Sequence, residues 1–120
     1  MTTILVVDDE YLIADILSFA LEDEGFMVVT ACNGRKGLDV LERERPALII
    51  TDFMMPVMDG LEFATAVRAL PSTNHLPIIL MSGAQAHIGM QRPDLFDAVL
   101  LKPFDIDLII TEVRKRLASE

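Results

Sequence analysis

The chain is short of three things. It has a single cysteine, Cys32, among 120 residues. One thiol cannot close an internal disulfide, so nothing in the sequence calls for an oxidising compartment. Basic residues are scarce: 10 Lys and Arg stand against 19 Asp and Glu, a formal net charge of −9. A surface built for nucleic acid or an anionic membrane needs the opposite balance, because phosphates are met by Lys and Arg. The surplus of carboxylates favours a cation or a basic partner. Long apolar runs are missing as well. None approaches the ~20 residues of a membrane span. Met1-Thr2-Thr3 also leads into the first apolar run without the basic segment of a secretory signal. The expected location is the cytoplasm. Repeats, low-complexity stretches and long linkers are absent too, so a single domain over residues 1–120 is expected.

What is present is a core, since 52% of the residues are hydrophobic. Five short apolar runs carry much of it: Thr3–Val7, Met27–Ala31, Ala47–Thr51, Pro77–Met81 and Asp97–Leu101. Several are rich in Val and Ile and apolar on both faces, the pattern of strands buried between helical layers. Helical patterns lie between them. Tyr11–Glu24 sets Leu12, Ile13, Ile16, Leu17, Ala20 and Leu21 on one stripe, and Gly25 ends it. Arg35–Arg45 follows a cap at Asn33 or Gly34 and precedes Pro46. Asp59-Gly60-Leu61-Glu62 resembles a capping box ahead of Phe63–Leu70. Asp105 can cap a last helix carrying Ile106, Ile109, Val113 and Leu117, with Arg114, Lys115 and Arg116 near its negative end. The fourth connection, Gln85–Phe96, contains Gly89 and Pro93 and predicts one short or distorted helix. Five βα units predict an α/β fold: a five-stranded parallel sheet, doubly wound, with helices on both faces. In such sheets the ligand site lies outside the carboxyl ends of the strands.

The run Ile4-Leu5-Val6-Val7-Asp8-Asp9-Glu10 therefore drives a strand into the core and leaves carboxylates at its carboxyl end. Asp52 follows the third run, Ser82 the fourth and Lys102 the fifth. If the first and third strands are neighbours, Asp8, Asp9 and Asp52 meet on one edge. Like charges at close range repel, and a divalent cation with oxygen ligands resolves the repulsion. Mg2+ suits few carboxylates with room for water and a phosphate. Phosphoryl transfer needs a nucleophile and positive charge around the transferred oxygens. Asp52 can serve as nucleophile, giving an acyl phosphate, with Lys102 and Mg2+ as the charge and Ser82 as a hydrogen-bond donor.

The motifs Asp8-Asp9, Asp52-Phe53-Met54-Met55-Pro56-Val57-Met58-Asp59-Gly60, Ser82-Gly83-Ala84 and Lys102-Pro103-Phe104 fall in order at the strand ends. Together they make the whole chain resemble a receiver domain of a two-component response regulator. The resemblance implies a flavodoxin-like sheet of strand order 2-1-3-4-5. It implies Asp52 as phosphoacceptor, Asp9 as direct Mg2+ ligand, and Asp8 as a ligand through water. The backbone carbonyl of Met54 is implied as a further ligand, and Lys102 as the partner of the phosphoryl group. Lys102-Pro103 is implied to be a cis peptide. The implied donor is a sensor histidine kinase or a phosphotransfer protein. The implied response is a shift in the face of helix four, strand five and helix five, read by an output protein or domain that the resemblance does not name. Neither nucleic acid nor membrane is an expected partner of this domain.

Two features depart from the family pattern. Val99 stands where a Tyr or Phe is usual, three residues before the lysine, and the fourth helical segment is short and rich in breakers. They support one alternative, a receiver fold acting as a constitutive interaction module. A second alternative is an aspartyl-phosphate phosphatase of the haloacid-dehalogenase type. That family places an acid two residues after the nucleophile, where this chain has Met54. Nothing among these residues supplies an enzymatic output beyond the domain's own phosphoryl transfer and dephosphorylation. A flavin site is disfavoured because no phosphate-cradling loop follows the first strand. His75 and His87 read as loop residues without metal partners, and Cys32 as inert. Met54, Met55, Met58 and Met81 read as packing and loop residues. Asp59 and Glu62 read as caps, and Glu10 as a first-turn residue of the first helix.

Overall fold

Residues 1–118 are described by a computed structural model. The order is β1 (Thr3–Val7), α1 (Tyr11–Asp23), β2 (Met27–Ala31), α2 (Gly34–Glu44), β3 (Leu48–Asp52), α3 (Gly60–Ala69), β4 (Ile78–Ser82), α4 (Ala86–Met90), β5 (Ala98–Leu101) and α5 (Ile106–Ala118). The strands form one parallel sheet in the order β2-β1-β3-β4-β5. The fold class and strand order expected from the sequence both hold.

Strand alternation builds two cores. Leu5 and Val7 of β1, Ile49 of β3, and Ile78 and Leu80 of β4 pack with Leu41, Phe63 and Val67 from α2 and α3. Ile4, Val6, Leu48, Ile50, Ile79 and Met81 point the other way and pack with Leu17 and Leu21 of α1 and Ile109 and Val113 of α5. Successive side chains of a strand leave opposite faces, so a run apolar at every position must be covered on both.

The helix signals are physical as well as statistical. The Asn33 side chain accepts from the Lys36 N–H at 2.9 Å and starts α2. Asp59 and Glu62 close a reciprocal capping box at 2.8 and 3.1 Å. This starts α3 at Gly60, one turn ahead of the expected Phe63, because the box residues already belong to the helix. Asp105 Oδ1 accepts from the Asp107 N–H at 2.8 Å at the start of α5. Gly25 follows α1 with φ of 95°, a conformation open to glycine at no steric cost.

The expected apolar stripe of α1 needs correction. Ala14, Leu17 and Leu21 are buried, but Leu12 is 77% exposed and Ile16 and Phe19 also face outward. The helix sits on the sheet by a narrow stripe containing a small residue, and residue size misled the reading of its inner face. The fourth connection is as short as expected, with five residues in α4. Past it, Arg68 of α3 bonds the Asn74, Leu76 and Leu95 carbonyls at 2.9, 2.6 and 2.9 Å and Asp97 at 3.0 Å. That one side chain ties the turn before β4 to the turn before β5.

Candidate functional site

The site forms where β1 and β3 end side by side. Val7 pairs with Thr51 in register, so Asp8 and Asp52 emerge as neighbours at the carboxyl edge. Ligand atoms of Asp8, Asp9, Glu10 and Asp52 all lie within 4.8 Å of one another. Asp8 is 3% exposed and Asp52 5%, while Asp9 and Glu10 stand at the surface. The three expected carboxylates do converge. The fourth, Glu10, corrects the expectation. It is the N-cap of α1 rather than a first-turn residue, makes no side-chain cap bond, and brings Oε1 to 4.0 Å from the Lys102 ammonium. The signal was its place directly after Asp9.

Lys102 reaches in from the end of β5, with Nζ 3.0 Å from Asp52 Oδ1. The Phe53 N–H donates to the same oxygen at 2.9 Å, and the Glu10 N–H donates to Asp8 Oδ1 at 2.9 Å. Ser82 ends β4 with 1% exposure, and its hydroxyl has no partner among the described residues. Its carbonyl accepts from the Lys102 N–H at 2.9 Å, which ties the ends of β4 and β5 together. The Lys102-Pro103 peptide is cis. Met54 lies two residues past Asp52, its side chain exposed. His75 and His87 are exposed and lie outside the cluster.

The loop after Asp52 is pinned at two points the sequence reading missed. The Gly60 N–H donates to the Phe53 carbonyl at 2.7 Å, so closely that a Cβ at Gly60 would strike the Asp52 carbonyl. The Gly34 N–H donates to the Met58 carbonyl at 3.1 Å, and a Cβ there would lie 2.8 Å from Met58 Cγ. Between these pins Val57 is held at φ 71°, a costly conformation for a β-branched residue.

Electrostatics follow from burial. Removal from water pushes the Asp8 carboxyl up to about 6; the Glu10 N–H and Lys102 oppose this, while the charges of Asp52 and Glu10 add to it. Burial likewise raises Asp52, against the hydrogen bond and charge of Lys102 and the Phe53 N–H; the Asp9 charge works with burial. For Lys102 burial disfavours the charged form, but the hydrogen bond and charge of Asp52, with Asp8 and Glu10, outweigh it and raise the pKa. The residues present fit a divalent cation: four carboxylates converge, and buried Asp8 Oδ2 lacks a partner among the described residues.

Residues 4–114 match the model of the response regulator receiver domain. The chain belongs to that family. Among its relatives, Sporulation initiation phosphotransferase F of Bacillus subtilis (strain 168) is 34% identical over 116 residues, covering 95% of this chain and 92% of that protein. The response regulator TrrA of Thermotoga maritima, solved in complex with Mg2+ and BeF, superposes with a TM-score of 0.85 at 34% identity, covering 96% of this chain and 98% of that one. The chemotaxis protein CheY4 of Vibrio cholerae gives 0.89 at 31% identity, covering 97% and 98%. The protein is thus a receiver domain of two-component signalling. The match favours neither the dehalogenase-type reading nor the constitutive module. Among the described residues of this receiver domain, no helix is long and apolar enough to cross a membrane.

Proposed function

We propose that this receiver domain accepts a phosphoryl group on Asp52 from the phosphohistidine of a sensor kinase or phosphotransfer protein, and switches conformation in response. The observation that carries this is the 3.0 Å pair of Asp52 Oδ1 and Lys102 Nζ beneath the converging carboxylates. Lys102 and the Phe53 N–H hold Oδ1, which leaves Oδ2 as the oxygen presented to phosphorus. The new O–P bond forms as the N–P bond of the donor breaks, and the donor imidazole leaves with the bonding pair. Lys102 then follows the charge onto the phosphoryl oxygens. The Ser82 hydroxyl, without a partner among the described residues, donates to one of them, and this draws the β4–α4 loop toward the site. Asp8, Asp9, Asp52 and the Met54 carbonyl would hold Mg2+, which supplies charge against the phosphoryl oxygens when bound. Support comes from the name of the Bacillus subtilis relative, a phosphotransferase, and from the Mg2+ and BeF in the Thermotoga maritima structure.

The test is intact-mass measurement after acetyl phosphate with Mg2+. One phosphoryl mass is expected on the wild type and none on Asp52→Asn. Lys102→Ala should label at least tenfold more slowly. Labelling of Asp52→Asn at the wild-type rate would overturn the assignment.

A further inference from the structure

Helix α1 is apolar on two sides. Ala14, Leu17 and Leu21 face the sheet and are buried. On the opposite side Leu12, Ile16 and Phe19 follow at spacings of four and three, which is one stripe of a helix. They are 77%, 48% and 71% exposed. A helix that is apolar on its outer side as well calls for a second cover. Carboxylates border the stripe: Asp15, Glu22 and Asp23 are exposed and make no ion pair among the described residues.

The other layer of the fold has the converse shape. Between α2 and α3 lies a groove of about 1110 Å³, lined by Leu38, Leu41, Ala66, Ala69, Leu70 and Leu76. α3 presents Ala66 and Ala69 there, too small to close the gap to α2. Arg35 and Arg45 line it near the two ends of α2, and neither has an ion-pair partner among the described residues. Arg43, Arg68, Arg92, Arg114 and Arg116 are all paired. In a chain of net charge −9, the two arginines left over both line one apolar groove. Asp39 and Glu42 lie on the same wall between them.

We infer that the exposed stripe of α1 docks in the α2–α3 groove of a second copy of this chain. Spacing and charge both fit. Arg35 and Arg45 are ten residues apart, about 15 Å along a helix, and Asp15 and Asp23 eight residues apart, about 12 Å. The flexible arginine stems cover the difference. Ile16 and Phe19 fall between the two acids, so uncharged residues come opposite Asp39 and Glu42, where a carboxylate would be repelled. A wholly acidic partner is rejected at mid-groove and a basic one at the ends. α1 covers one face of the sheet and the groove opens on the other. Two copies therefore cannot exchange both contacts about a two-fold axis. The contact is head-to-tail, leaves a free stripe at one end and a free groove at the other, and adds further copies.

Sedimentation velocity on the whole chain, from about 10 to about 500 µM as suits a small transient interface, tests this. The stripe variant is Leu12→Gln with Phe19→Gln, and the groove variant is Arg45→Gln with Leu70→Gln. All four positions are exposed, so the fold is kept. Wild type is expected to associate beyond a dimer as concentration rises. Each variant alone should associate at least tenfold more weakly. Their equimolar mixture should form a one-to-one pair and stop there, because only one intact stripe and one intact groove are present. Leu108→Gln, an exposed residue of α5 away from both surfaces, should behave as wild type. A wild type that stays monomeric throughout, a mixture that stays monomeric, or a groove variant that associates like wild type overturns the inference. So does association lost in Leu108→Gln and kept in the other two.

Discussion

The rim at the ends of β1 and β3 and the flank formed by α4 and β5 are built to opposite standards. At the rim, backbone meets backbone: Gly60 rests against the Asp52 carbonyl, and Gly34 is bonded to the Met58 carbonyl. Asp8, Asp52 and Ser82 are buried there. At the flank, side chain meets side chain. Gly89 of α4 approaches Leu80 and, at 3.3 Å from a built Cβ, Val99, while Met90, Leu101 and Leu108 remain exposed. Chemistry that depends on atom positions needs backbone constraints, which a single methyl group can spoil. A surface that packs by side chains sets looser demands on atom positions, and half-buried Val99, beside Gly89, stands on it.

The sharpest way to break this comparison is to add the same methyl to both regions. Gly60→Ala should cost about 3 kcal/mol or more in denaturant unfolding, because the Asp52 backbone cannot yield without losing the loop. Gly89→Ala should cost only about 1 kcal/mol, because the Leu80 and Val99 side chains can turn aside. Equal costs would mean that the rim is no more rigid than the flank.

The next largest effect concerns charge at the rim. Asp8 is raised from 3.8 to about 6 in the fold. A carboxyl raised by folding binds protons more tightly in the native state, so its contribution favours the fold at low pH and is lost as pH climbs from about 4 to about 6. A shift of this size is worth at most about 3 kcal/mol. Asp8→Asn does not titrate there, so its stability relative to wild type should improve by roughly 2 kcal/mol across that window, with a chelator present. Urea melts at pH 4, 5, 6 and 7 check the sign. A relative stability that falls with pH would show that Asp8 is held ionised instead.

The smallest effect tests the strain between the two pins. Val57 is 81% exposed and sits at φ 71°, so it gives up little packing if replaced. Val57→Gly should raise stability by roughly 0.5–1 kcal/mol, the left-handed cost of a β-branched residue less the entropy of glycine. Thermal melts suffice, and a lowered midpoint would place the strain elsewhere.

Much of this was legible in the sequence because the fold obeys periodicity and its site obeys topology. Five apolar runs gave five strands, and the residues directly after runs one, three, four and five gave Asp8, Asp52, Ser82 and Lys102. Asn33, Asp59 and Glu62 were readable as caps because capping is local chemistry. What stayed hidden was contact across distance. Arg68 gave no signal in the sequence, because its partners lie in two turns further along the chain. Glu10 looked like a helix residue because nothing local tells whether a carboxylate at an N-cap turns to the helix or away from it. Leu12 and Ile16 looked like core because their spacing is helical, and spacing does not say which stripe faces the sheet.

The Arg68 guanidinium has a consequence for how the molecule opens. It grips carbonyls before β4 and before β5 together with Asp97, whose carboxylate also accepts from the Ile78 N–H at 2.8 Å. Two turns that would otherwise fray separately are thereby joined at one point. In hydrogen–deuterium exchange, the amides of Ile78, Phe96 and Asp97 should exchange together as one cooperative unit. Truncating that one arginine should split the unit in two and let the edge of the sheet breathe without its neighbour.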